Sequence, residues 1–262
     1  MLSGILTIAR KEVLDALRDL RAVLSSAVYV IMGPSVVWLV SFLIHDNARL
    51  GSSRAVLISM MSVFTLVSAF VGGMNIAMDA IAGERERRSL LPLLMNPLPR
   101  FDLIAGKWLA VSFFSISGLL LNLAGFALVF AQSGFAMRGL GPGLLLTLSL
   151  GLVPLALLAA ALELLMSTVC GNTKEAHTYL SLLVFVPMVL GLFFVFFPGG
   201  ARHWWHWLPV VGQQLGIEAW MQGRNPDPMQ LLILGWVTAA SSLLVLLSAA
   251  KWLERDDIVY GG

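Results

Sequence analysis

Six long apolar blocks, separated by short polar segments, run along this chain. They lie at residues 22–44, 56–80, 103–131, 140–169, 179–197 and 229–252. A helix needs about 20 mostly apolar residues to cross the hydrocarbon of a bilayer, so each block predicts a membrane span. Pro34, Pro154 and Pro187 fall inside three of them and predict kinks, because proline lacks a backbone donor. Residues 5–20 follow a different rhythm. Ile5, Ile8, Ala9, Val13, Ala16, Leu17 and Leu20 recur at three- and four-residue spacing, with the charges opposite. That pattern predicts an amphipathic helix in the membrane interface.

Residues 199–225 are too polar for a seventh span and too apolar for an ordinary loop. His203, Trp204, Trp205, His206 and Trp207 lead into short apolar pieces broken by Pro209 and Gly212. Short re-entrant helices on the outer side are expected, packed against protein where their backbone leaves regular structure. The predicted fold class is an all-α, polytopic membrane protein. It has six transmembrane helices, an N-terminal interfacial helix and external re-entrant helices before the last span. No long linker or repeat divides residues 1–262, so a single transmembrane domain is expected.

Composition agrees with membrane residence. Of 262 residues, 58% are hydrophobic and only 12% are charged. A soluble domain carries about 25% charged residues. The net charge of +2 is too small to suggest a nucleic-acid partner. Cys170 is the sole cysteine, which excludes an intrachain disulfide or a thiolate metal cluster and leaves a small packing residue at a helix end. Arg10, Lys11, Glu12, Asp15, Arg18 and Asp19 interrupt the first twenty residues, so no cleavable signal peptide is expected. With both termini cytoplasmic, twelve Lys and Arg lie inside and five outside, as the positive-inside rule requires. The outside five are Arg49, Arg54, Arg138, Arg202 and Arg224.

The segment at 83–107 is the polar break with most to say. Glu84, Arg85, Glu86, Arg87 and Arg88 favour helix, residues 89–95 continue with an apolar face, and Pro97 and Pro99 stop it. A short helix over 84–95 is expected. The chain lacks the Gly-x-x-x-x-Gly-Lys-Ser/Thr loop that cradles nucleotide phosphates, so any ATP chemistry needs another chain.

Ionisable and amide groups inside spans are costly and are functional candidates by default. Asp79 lies near the inner end of the second span, with Asn75 one turn earlier on the same face. Glu163 lies six residues from the inner end of the fourth span, roughly 9 Å deep at the helical rise. These three are candidates for a substrate or ion pathway, and structural hydrogen bonding is the alternative for each. Asn122 suits interhelical packing. His203 and His206 share a helical spacing and, with Glu218, raise haem or metal handling as an alternative. Two histidines fall short of an ordinary zinc site, and the tryptophans fit an interfacial belt. No metal is expected. Neither His-Glu-x-x-His nor Gly-x-Ser-x-Gly occurs, which argues against a hydrolytic enzyme.

The run Ala82-Gly83-Glu84-Arg85-Glu86-Arg87-Arg88-Ser89-Leu90, followed by Leu93, Leu94, Pro97, Gly106 and Lys107, resembles the cytoplasmic loop of ABC-2 type permeases. Within that family it resembles the branch related to the sodium-exporter permease NatB. Lys174-Glu175-Ala176-His177-Thr178-Tyr179-Leu180-Ser181 is similar to that branch's loop before the fifth span, and Glu254-Arg255-Asp256-Asp257 to its charged ending. The span layout fits along nearly the whole chain. One departure is plain: only residues 45–55 stand where that branch often carries a large external domain.

The resemblance implies a permease subunit of an ATP-driven exporter in a bacterial or archaeal cytoplasmic membrane. Residues 84–95 would be the coupling helix on a separate ABC ATPase, with Leu90, Leu93 and Leu94 as apolar anchors and the charges as rim contacts. ATP and Mg would sit on that partner, and this chain would bind no cofactor. A second permease subunit, identical or not, would complete the pathway. An ion-coupled carrier using Asp79 and Glu163, or a membrane enzyme, remains the alternative.

Overall fold

The structure, a computed structural model, describes residues 2–45, 53–95, 99–132, 142–197, 203–222, 224 and 228–254. Among the described residues every regular element is helical. Six helices are long and apolar enough to cross a membrane. They are α2 (Leu20–His45), α3 (Ser53–Met78), α6 (Arg100–Gln132), α7 (Pro142–Val169), α8 (Thr173–Phe196) and α10 (Pro228–Trp252). Shorter elements are α1 (Leu2–Arg18), α4 (Glu84–Glu86), α5 (Leu90–Leu94) and α9 (Val211–Met221). A π-helical turn, Asp79–Gly83, joins α3 to α4, so the second span runs on to Glu86. Helices α6 and α8 start ahead of their apolar blocks, at Arg100 and Thr173. Polar residues supply those first turns. Asn172 caps α8, its side chain accepting from the Glu175 N–H at 2.9 Å. Pro34, Pro154 and Pro187 all stay within helices.

The second span is the hub, packed against α2, α6, α7 and α8. Its apolar window is 67% buried, against 28% for α2 and 22% for α8 and for α10. The three outer helices therefore turn most of their apolar surface to lipid or to another chain. Close approach makes the hub possible. A Cβ on Gly118 would lie 3.0 Å from the Gly72 Cα, so the α3 and α6 backbones nearly touch where neither has a side chain. The other tight seam is α7 on α10. There the Leu157 carbonyl accepts from Ser242 Oγ at 2.9 Å and from Trp108 Nε1 at 3.0 Å.

Asp19 separates α1 from the first span. Its Oδ1 accepts from the Arg21 and Ala22 N–H groups at 3.1 and 3.3 Å, which caps α2. Ile5 and Ile8 pack into a cluster with Leu103, Ile104, Leu246 and Leu253. The starts of α1 and α6 and the end of α10 thus meet at one end of the bundle. The single apolar face expected for residues 5–20 divides in two. Ile5, Ile8, Val13 and Ala16 turn inward, while Leu6, Leu14, Leu17 and Leu20 are exposed. The inward set packs on the bundle, and the outward set is left to face the membrane.

At the opposite end a 3-10 turn, His203–Trp207, leads through Pro209, Val210 and Val211 into α9. Val210 has φ 71° and ψ −60°, and the Val211 N–H donates to the Pro209 carbonyl at 2.9 Å. This is a γ-turn of the strained kind, unusual for a β-branched residue. The chain then dips into the bundle. Gln213 Nε2 donates to Thr238 Oγ1 at 2.8 Å, ten residues inside α10 and so roughly 15 Å from its start. Trp205 packs against Phe193 at a tilt and edge-on against Phe194, near the end of α8. Residues 199–202, 223 and 225 of the expected re-entrant segment lie outside the described residues, as do Pro97 and Arg255 to Asp257.

Candidate functional site

The expected helix over 84–95 is two pieces. It breaks at Arg88, whose φ of 56° is left-handed and unfavourable for a residue with a Cβ. Glu84–Glu86 belong to the end of the second span, and Leu90–Leu94 form a separate short turn. The break allows two opposed directions. Arg87 reaches back along the span, while Leu90 and Leu94 turn into the bundle. Leu90 is 2% exposed and Leu94 is 7% exposed, both within the cluster built on Ile104 and Leu253. Leu93 is half-buried against the same cluster. The expected anchors are thus spent on the chain's own core. Among the described residues of the segment, the exposed side chains are Glu86, Arg87, Arg88, Ser89, Pro92 and Met95, the last at 80%.

The charges that precede the break are each used within the chain. Arg87 makes a two-pronged pair with Asp79, Nη1 to Oδ1 at 2.9 Å and Nη2 to Oδ2 at 3.0 Å. The pair lies over Gly83, where any Cβ would collide with Asp79 Oδ1. The Asp79 carboxylate raises the Arg87 guanidinium above its ordinary pKa. Arg85 donates to the carbonyls of Thr168 and Cys170 at the end of α7, a favourable place for a cation. Cys170 itself is buried against Ala82 and Ala176. Glu86 accepts from Thr173 at its N–H and its Oγ1, which fixes the start of α8.

Lys107 is the buried member of this set. Its side chain is 0% exposed, and Nζ lies 2.8 Å from Glu84 Oε1 and 3.0 Å from Glu12 Oε1. One ammonium therefore ties α1, α4 and α6 together. The sequence placed Lys107 in the loop; the structure places it inside α6 as a buried link. Its position within a helix, three residues past Ile104, and Glu12 on the polar face of α1 were the available signals.

Two cavities flank this framework. The first, about 520 Å³, lies between α1, the start of α2 and the end of α3. Glu12, Asp15, Asp19, Arg21, Asp79 and Arg87 line it. The second, about 510 Å³, lies between α2, α3 and α8, with Asn122 of α6 at its wall. Asn75 lines both, and its Nδ2 donates to Ser25 and Ser26 Oγ of α2 at 3.0 Å each. The Asn75 amide therefore closes the seam between the two spaces.

Glu163 is 1% exposed and lines neither cavity. It sits on α7 between Ala160, packed on Ile76 and Ala77, and Ser167, which bonds to Met78 and Ala82. Neither carboxyl oxygen has a hydrogen-bond partner among the described residues. The structure does not bring Glu163 together with Asp79, which Arg87 occupies.

At the far end Glu218 Oε1 accepts from Ser62 Oγ at 3.1 Å and from Gln214 Nε2 at 3.4 Å. Burial pushes its carboxyl up, and those two bonds oppose the shift. His206 is half-buried, and among the described residues no three His, Cys, Asp or Glu groups are placed to hold a metal.

Known proteins are similar to this chain in sequence. The chain is 36% identical over 158 residues to the ABC transporter permease protein NatB of Bacillus subtilis, covering 56% of this chain and 39% of that protein. It is 34% identical over 120 residues to the probable ABC transporter permease protein NosY of Pseudomonas aeruginosa, covering 45% of this chain and 40% of that one. NosY of Stutzerimonas stutzeri is 32% identical over 119 residues, with 45% and 40% covered. The matches thus span about two fifths of each relative's length. Residues 6–200, from α1 through α8, match the family described as ABC-2 family transporter protein. Together with six candidate spans, that match makes this chain a multi-pass membrane protein that belongs to the ABC-2 transporter family.

Proposed function

We propose that this chain is the transmembrane permease subunit of an ATP-driven ABC-2 exporter. One observation supports the reading: the segment after α3 is bonded to α6, α7 and α8, and through Lys107 of α6 to α1. The second span enters it directly through the π turn and α4. Glu86 holds the start of α8, and Glu84 reaches α1 through Lys107 and Glu12. Force applied at Arg88, Ser89, Pro92 and Met95 is transmitted to α1, α3 and α8, and through Asn75 to α2.

In this reading a separate ABC ATPase docks at that exposed patch and holds ATP and Mg. No cofactor is bound by this chain. Both termini are cytoplasmic, and the membrane is a bacterial or archaeal inner membrane. The second cavity is half of the pathway. A second permease subunit completes it across α2 and α8, two of the three least buried spans. ATP closure of the ATPases pushes the patch and shifts α2, α3 and α8 between states, and family membership supports export as the direction.

The alternative is an ion-coupled carrier, favoured by the unpartnered carboxyl of Glu163. Reconstituted vesicles separate the two. Transport that requires nucleotide and a co-purified ATPase supports the permease reading. Transport that persists without nucleotide, and stops in Glu163→Gln, would replace it with the carrier.

A further inference from the structure

We infer that the cavity between α2, α3 and α8 binds an uncharged, lipid-soluble molecule bearing a hydrogen-bond donor, and that Asn122 reads the donor. Asn122 is 1% exposed. Its Nδ2 donates to the Val30 carbonyl at 3.1 Å, which fixes the orientation of the amide. The remaining atom, Oδ1, is a buried acceptor with no partner among the described residues. Buried acceptors are ordinarily satisfied, and this one belongs to a residue that lines the cavity.

The rest of the wall defines the ligand class. Among the described residues, no Asp, Glu, Lys or Arg lines this cavity. A bare cation or a phosphate therefore finds no counter-charge in it. Met32, Met60, Met74 and Met188 supply flexible, polarisable surface that adapts to irregular apolar shapes. Besides Asn122, the polar side chains in the wall are Tyr29, Ser68, Asn75, His177 and Ser181. Gly33 keeps the approach to Asn122 open. A Cβ there would lie 2.8 Å from Phe64 Cβ and 3.1 Å from Asn122 Nδ2. Naming the bound molecule as cargo rests on the permease reading; the binding does not.

The test is equilibrium binding of radiolabelled 4-nonylphenol to the full chain in lipid nanodiscs, with its O-methyl ether as the donorless comparison. Protein-free nanodiscs give the baseline. One hydrogen bond to a buried acceptor should favour the phenol by roughly threefold to tenfold. Asn122→Leu should bring that ratio to about one. Gly33→Ala should weaken both probes. Equal binding of the two probes to the unaltered chain would overturn the inference, as would a preference that survives Asn122→Leu. No binding above baseline would overturn it too. ATPase recruitment should be unchanged in Asn122→Leu, so failure here and failure of the permease reading are read separately.

Discussion

Lys107 Nζ lies 2.8 Å from Glu84 Oε1 with no exposed side-chain surface of its own. Glu12 shares the same ammonium from α1. Removing one partner of a buried charge group costs more than the group's net worth, because the others are left uncompensated. Lys107→Met should therefore lower stability by about 3–5 kcal/mol. Adding Glu12→Gln and Glu84→Gln to it should recover much of that loss. Thermal unfolding in detergent gives both values, and the recovery is the informative one. A triple variant no better than Lys107→Met would mean that Lys107 packs rather than pairs.

Asp79 and Arg87 are both more than half exposed, so their pair adds little to stability. It sets where Arg87 points. In Gly83→Ala the new methyl displaces the Asp79 carboxylate while improving helix propensity. Stability should change by less than about 1 kcal/mol, and ATPase stimulation should fall to the level of Asp79→Asn. A Gly83→Ala chain with intact stimulation would separate the pair from coupling.

Arg88 occupies a left-handed conformation that glycine adopts without strain. Arg88→Gly should stabilise the fold by about 1 kcal/mol, while Arg88→Val should destabilise it. Chemical or thermal unfolding of the two variants checks the sign. Partner docking should weaken in both, because both remove the exposed charge.

Glu163 has two buried oxygens without partners, a poor setting for a charge. Glu163→Gln should be at least as stable as the unaltered chain, since an isolated buried carboxylate is costly to keep charged. A marked loss of stability on unfolding would show that the carboxyl makes bonds absent here. Unchanged flux in the same variant would remove Glu163 from the pathway.

Burial raises the Cys170 pKa, with the Glu175 carboxylate adding to the shift and Arg85 opposing it. The neutral thiol dominates at pH 7, and only the thiolate reacts. Maleimide labelling of the folded chain should be slow and should speed up about tenfold per pH unit between 7 and 8.5, as the thiolate fraction grows. Because Cys170 is the one thiol, a further rise on adding ATPase and ATP would report loosening between α4 and α7.

The spans were legible because membrane residence forces long apolar runs, and the sequence carries them without ambiguity. The loop was legible in composition and misread in geometry. A leucine-rich face at 90–94 announces burial but not which surface buries it, and here the chain's own core takes Leu90 and Leu94. The Lys107, Glu12 and Glu84 group could not be read because its members lie up to 95 residues apart. Asn75 is legible as a polar residue one turn from Asp79, whereas its bonds to Ser25 and Ser26, some fifty residues away, are not. Asn122 was read as packing glue, which accounts for its Nδ2 and leaves its Oδ1.

The most direct test of the account is recovery of an ATP-hydrolysing chain with this protein from its native host after solubilisation. The unaltered chain should retain a phosphate-loop ATPase. Arg88→Glu combined with Met95→Glu should lose it while folding normally, since both side chains are exposed. Retention of that ATPase by the double variant would contradict the docking patch, and its absence from the unaltered complex would contradict the permease itself.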